Sequence, residues 1–375
     1  MRIVFSRLLD ERHRPRVFLH GHIDKAKRNY GIYLLDAFGN RELLYRDPAV
    51  SCLNPIPLRP RKKPPVIPHM TLIGKPRTPE GKKPAAPAIL PKVAEVGVVN
   101  VYDSRRPLPE GVKVTHLRIW QIIPKTTPLR DNPRIGLGTW QCAKAVLGTV
   151  PVESDGSACW EQPAGIPVLY HAIGADGAAI QGMRSTTYVA PGERLVCKGC
   201  HEPRADAPVM KTKFPLAMQR KPSKIKPSYD GTRPFSFPRL VQPVLDRNCV
   251  TCHDDSRKKG KKSPDLSRGN LDFTSINSLK PHDPRKMFTS INSLKRYVFF
   301  YNTVAFAPPS TIPGRFGARA SKLFQMLKKG HHELKLSDDD MRKLIIWMDS
   351  NGLFYGHNAD IKAQLEGKIV PIPLQ

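Results

Sequence analysis

Two stretches of this chain set cysteine and histidine at spacings that do chemistry: Cys197-Lys-Gly-Cys200-His201 and Cys249-Val-Thr-Cys252-His253. Both read C-x-x-C-H, the attachment signature of c-type haem. In it two thiols add to the vinyl groups of one porphyrin, and the adjacent imidazole becomes an axial ligand of the iron. With 7 Cys and 12 His in 375 residues, one such phrase arises by chance in roughly 0.004 of chains, and two in about one in 10⁵. Zinc is the competing reading, with four thiolates on one ion. The two pairs lie about 50 residues apart, against 15–20 in a zinc ribbon, and zinc needs no histidine after each second cysteine. A thioredoxin-like pair calls for a βαβ setting that the pattern lacks. The expectation is a dihaem c-type cytochrome, with Cys197, Cys200 and His201 holding one haem and Cys249, Cys252 and His253 the other.

Those phrases need elements to position them. The middle domain is read as 111–235, and from 111 to about 196 its pattern is β: Val112 to Trp120 alternates at period two, and Asp155-Gly156 and Asp176-Gly177 are hairpin signals between short apolar runs. Short strands at this spacing predict a β-sandwich-like middle domain, which ends in the first haem phrase. From 236 to 358 the periodicity becomes helical, predicting a mainly α, cytochrome c-like domain. Phe237 to Asn248 reads as a helix delivering the second phrase, with Pro243 limiting its regularity. Ser321 to Lys329 predicts a helix stopped at Gly330, and Ser337 caps another that runs to Asn351-Gly352. Residues 359–375 are left as a tail. At the other end, Asn29 to Asp36 and Arg41 to Tyr45 are strand-like runs around an Ala37-Phe-Gly-Asn40 turn. Two strands are marginal alone, so residues 1–50 read as the remnant of a β-propeller blade. Residues 51–110 read as a proline-rich basic linker of extended character. Phe273 to Lys280 recurs unchanged at Phe288 to Lys295, an offset too short for a solenoid, and reads as a duplication enlarging a loop.

Composition sets the surroundings. There are 38 prolines, about twice the usual share, which favours irregular connections over long helices. Formal charge is +29, much of it in runs such as Arg59 to Lys63, Lys211 to Lys226 and Arg257 to Lys262. Such a field suits an acidic redox partner. No recognised nucleic-acid motif accompanies it, so nucleic acid is not expected as a partner. No stretch reaches 18 consecutive apolar residues, so no transmembrane segment is expected. The first residues lack the apolar run of a secretory signal. Because haem is attached outside the cytoplasmic membrane, the expectation is a periplasmic or otherwise extracytoplasmic protein whose true start is missing.

Beyond the haem phrases, several stretches resemble the hydrazine synthase alpha subunit-related proteins. They are Asp36-x-Phe-Gly-Asn-Arg-Glu-Leu-x-Tyr45, Ser51-Cys-Leu-x-Pro-Ile-Pro57, Leu147-Gly-Thr-Val-Pro-Val-Glu-x-Asp-Gly156 and Val241 to Cys249, together with Gly330 to Ser337 and Trp347-x-Asp-x-Asn351. The resemblance implies a propeller, here mostly missing, then a middle domain with one haem and a C-terminal domain with another. It further implies that a downstream histidine fills the second axial position of the second haem. His331 is the candidate and His332 the runner-up, whereas without the resemblance a histidine at a helix end reads as a partner of the macrodipole. In that family the first haem is catalytic, with a tyrosine four residues after the motif histidine; the position here is Ala205, which argues against N–N bond formation. The family also implies a zinc. Cys52 is the spare thiol for it, although a buried structural cysteine is the more ordinary reading, and Cys142 and Cys159 read as core.

Electron transfer between partners is the leading function. The second reading is a haem redox enzyme or enzyme subunit, an oxidoreductase acting on a small nitrogen or oxygen species at a five-coordinate first haem. Sixth-ligand candidates there are Met183, Met210, Met218, His69, His116, His171 and Tyr188. The third is a basic scaffold or nucleic-acid binder with degenerate haem sites.

Overall fold

The computed structural model describes residues 18–24, 29–35, 41–49, 52, 92–104, 106–127, 131, 133–200, 214–228, 232–254, 263–269, 288–301 and 311–371. The chain divides into two units, 1–68 and 69–375. In the first, β1 (Phe18–Asp24), β2 (Asn29–Leu35) and β3 (Arg41–Tyr45) form an antiparallel meander in the order β1-β2-β3. The two expected strands are present. β1 joins them although His20, Gly21 and His22 interrupt its apolar pattern; pairing along its whole length with β2 supplies what its sequence does not.

The second unit begins with β4 (Val93–Val98), a strand inside the stretch that composition assigned to the linker. Its Val-Ala-Glu-Val-Gly-Val alternation is real but is overshadowed by flanking prolines. Six more strands follow: β5 (His116–Ile123), β6 (Ala143–Pro151), β7 (Ala158–Pro163), β8 (Val168–Ile173), β9 (Ala179–Gly182) and β10 (Arg194–Cys197). They make a three-stranded sheet in the order β10-β4-β7 and a four-stranded sheet in the order β6-β5-β8-β9. Both Asp-Gly signals fall in the β6–β7 and β8–β9 connections, as expected.

The sheets pack face to face. Val96, Val98 and Trp160 of the first share a core with Leu117, Ile119, Leu147 and Ala172 of the second. The other face of the larger sheet, carrying Trp120, Ile122, Val146 and Leu169, is covered by helices. Burial on both faces explains why β5 shows hardly any alternation: all but His116 and Gln121 of its eight residues are buried. Alternation along the strand sends Ile119 and Trp120 into different cores, and the register with β6 shifts between them.

The helical layer comprises α1 (Phe237–Leu240), α2 (Gln242–Asn248), α3 (Thr289–Leu294), α4 (Gly317–Ala320), α5 (Lys322–Lys329), α6 (Asp338–Asp349) and α7 (Ile361–Leu365). The helix expected over 237–248 is two short ones meeting at Val241, with Pro243 in the first turn of α2, where its missing N–H is harmless. Ser337 caps α6, its side chain accepting from the Asp340 amide at 3.1 Å. α3 corrects the reading of the repeat: the second copy is a core helix with Phe288, Ile291 and Leu294 buried. The first copy lies outside the described residues.

Candidate functional site

The second haem phrase begins where α2 ends. Gln242 anchors that helix by accepting from Ser290 Oγ at 2.5 Å and donating to Leu266 O at 3.0 Å. At its far end Arg247 and Asn248 donate to the two carboxylate oxygens of Asp340, at 2.8 and 3.1 Å, tying α2 to the first turn of α6. Cys249 follows, half-buried, and Cys252 is exposed. Burial, with the neighbouring Cys252 and Asp340, pushes the Cys249 thiol up to about 11. The amide of His253 donates back to Cys249 O at 2.9 Å, closing the turn.

The His253 ring is held by its Nδ1, 2.7 Å from Ser263 Oγ and 3.2 Å from Pro264 O. A carbonyl only accepts, so it favours the tautomer with the proton on Nδ1 and leaves the Nε2 lone pair for a metal. Across from it stands His331. The two ring centroids are 5.9 Å apart and their planes differ by 19°. Metal–imidazole bonds are about 2 Å long, so two imidazoles on opposite sides of one ion have centroids roughly 6 Å apart, a separation of the same size as that between these two rings. Burial, then His332 and His253, lower the His331 ring from its ordinary value. His332 is exposed and packs edge-on against His331 at 4.6 Å.

The turn that presents His331 is unusual. Gly330 (φ 94°), His332 (φ 46°) and Glu333 (φ 61°) all take positive φ, and the Leu334 amide donates to His331 O at 2.9 Å. Residues other than glycine rarely adopt this conformation, and runs of it cluster where function needs a set geometry.

The first phrase is built on a strand. β10 runs parallel to β4 and ends at Cys197, paired with Val98. The ladder continues past it: the Val99 amide donates to Cys197 O, the Asn100 amide to Lys198 O and the Cys200 amide to Asp103 O. Gly199 permits this, because a Cβ there would lie 1.9 Å from Asp103 O. Both thiols are half-buried against the inter-sheet core. Tyr170, half-buried beside that core and donating to Gln162 Oε1 at 2.6 Å, is pushed above its usual range by desolvation and by Cys197. His201 lies outside the described residues.

Of the sixth-ligand candidates, His171 is claimed by the core. It is buried, accepts from Trp120 Nε1 at 3.2 Å and packs edge-on against Phe316. Met218 lies over Gly97 of β4, Met183 packs against the helical core, and Tyr188 and His116 are exposed. His69, Met210 and Ala205 lie outside the described residues. Cys159 is buried as expected and donates to Glu95 at 3.7 Å, whereas Cys142, expected in the core, is exposed because it immediately precedes β6, its side chain off the packed face. Cys52 is half-buried. Among the described residues, no three His, Cys, Asp or Glu side chains gather as a metal site.

Sequence reasoning missed one group that holds the site together. Arg118 of β5 and Asp349 of α6 form a buried ion pair at 2.8 Å. Asp349 also accepts from the amides of Ala179 and Ala318 at 3.0 and 2.9 Å, joining sheet to helices. Two positions on, Asn351 exchanges both side-chain hydrogen bonds with the Tyr301 backbone. The Trp347-x-Asp-x-Asn351 phrase is therefore a clamp between layers.

A mixed, sheet-rich fold with few helices, carrying C-x-x-C pairs at a strand end and a helix end, defines the class. Its likeness to known proteins is specific. Residues 110–202 match the family model of the hydrazine synthase alpha subunit middle domain, so this part of the chain is related to that domain. A solved structure of Kuenenia stuttgartiensis hydrazine synthase is similar in fold, with TM-score 0.51 and 17% identity over 70% of this chain and 43% of that one. The chain thus spans less than half the length of that protein. No curated protein matches it.

Proposed function

We propose that this protein is a dihaem c-type cytochrome that passes single electrons between partners, the reading that the facing His253 and His331 rings support best. Cys249 and Cys252 would hold one haem, with His253 and His331 as its axial ligands. Cys197, Cys200 and His201 would hold the other. When bound, each haem supplies a one-electron iron couple, and two imidazoles bias it towards lower potential than a histidine–methionine pair. The chain's own part is mechanical and electrostatic. Ser263 and Pro264 orient the His253 ring, the strained 330–334 turn presents His331, and the Asp340 contacts fix α2. If His253 and His331 both hold the second haem, it would keep no open site for substrate, which suits transfer over catalysis at this phrase. The +29 charge favours an acidic redox partner in an extracytoplasmic compartment. The β1–β3 meander fits part of a propeller blade, to be completed by further blades or by partner subunits.

One observation favours a second reading, a redox enzyme at the first haem. His171, a candidate sixth ligand there, is committed to Trp120 and Phe316, which would leave that haem open. A single experiment separates the two: expression with a cytochrome maturation system, then haem counting and carbon monoxide addition to the reduced protein. Electron transfer predicts two covalent haems and little carbon monoxide binding. In His331→Ala, one haem should bind carbon monoxide rapidly while both stay attached. Fast binding to one haem of the unaltered protein would favour the enzyme, and protein without covalent haem would end both readings.

A further inference from the structure

Between the outer end of β5–β8 and α6 lies a cleft of about 490 Å³, and none of its lining residues belongs to either C-x-x-C-H phrase. Its floor is apolar: Val146, Ile173 and Ile346 line it and are buried. Its rim is cationic. Lys226 and Arg342, both exposed, reach it from different elements, with His116 at the start of β5 beside them. Neither Lys226 nor Arg342 has an ion-pair partner among the described residues. Of the acids near the cleft, Asp349 is buried and already neutralises Arg118, and Asp176, in the 174–177 loop, pairs with Arg319 and Lys328. No described carboxylate lines the cleft, so the rim charge is uncompensated there.

We propose that this cleft binds a small organic anion, a phosphate ester or carboxylate with an apolar body. Its charged end meets Lys226, Arg342 and His116, and its body lies on Val146, Ile173 and Ile346. The volume falls in the usual range for small-molecule sites, and an apolar floor with few convergent polar groups is their usual composition. Two cations alone would give a screened, weak attraction for any anion. The floor adds the selectivity, since buried apolar area contributes about 25 cal/mol per Å². Thr149, also on the wall, offers a hydroxyl to the same charged end.

The test is calorimetric titration of the full chain with 1-naphthyl phosphate at constant ionic strength, with inorganic phosphate as the control. Saturable 1:1 binding is expected, at least tenfold tighter for the ester than for inorganic phosphate. Lys226→Ala combined with Arg342→Ala should weaken it at least tenfold while circular dichroism stays unchanged, both side chains being exposed. Ile346→Ala should erase most of the preference for the ester. Equal affinity for the two phosphates, or ester binding indifferent to the double change, would overturn the proposal.

Discussion

At the scale of single residues, the first thiol pair depends on an atom that is absent. Gly199 lets the Cys197–Cys200 segment lie against Asp103, where a Cβ would meet the carbonyl oxygen at 1.9 Å. In Gly199→Ala the segment must lift from the 99–104 stretch, breaking the hydrogen bond from Cys200 to Asp103. Covalent haem at the first phrase should fall several-fold, with that at the second unaffected, as mass spectrometry of the separate haem peptides would read. The residue types that could do chemistry were legible because C-x-x-C-H is a local pattern. The role of Gly199 was not, since it depends on a backbone distant in sequence. The same holds for His171, an imidazole like any other in the sequence, which the fold commits to Trp120 and Phe316.

At the scale of elements, caps and turns behaved as their sequences predict, because they are local hydrogen-bonding problems. Ser337 caps α6 and Gly330 ends α5. Gly330 takes φ 94° and ψ 140°, which is essentially glycine-only backbone, and a Cβ there meets nothing within 4 Å. Gly330→Ala should therefore cost about 1–3 kcal/mol through backbone strain alone. It should also displace His331, visible as a change in the axial-ligand spectrum of the second haem. What local pattern misjudged were elements whose stability comes from neighbours. β4 was hidden among prolines, and the second repeat copy is a helix because Phe288, Ile291 and Leu294 find a ready core.

At the scale of the whole molecule, sheet and helices are one packing unit, joined at Arg118 and Asp349. Removing one member of a buried pair strands the other, so Asp349→Ala should destabilise by about 3–5 kcal/mol in denaturant unfolding. Stability should also depend on pH. Burial, with Arg118 and Lys144, holds His171 well below its usual 6.5, so the unfolded chain takes up a proton below that pH and the folded chain does not. The contribution is therefore complete above about pH 6.5 and is lost as pH falls, by up to about 1.4 kcal/mol per pH unit. His116 and His357 are lowered also and act in the same direction. His171→Gln should flatten the slope between pH 5 and 6.5.

The sequence by itself determined the covalent possibilities: which thiols and imidazoles are spaced for haem, where helices start and stop, and where hairpins turn. These depend on atoms a few bonds apart. Only the tertiary structure decided which distant groups meet, setting His331 rather than His332 opposite His253, Asp349 beneath Arg118, and two cations over an apolar floor. Such meetings follow from how buried faces close on one another, and that closure is a property of the packed chain as a whole.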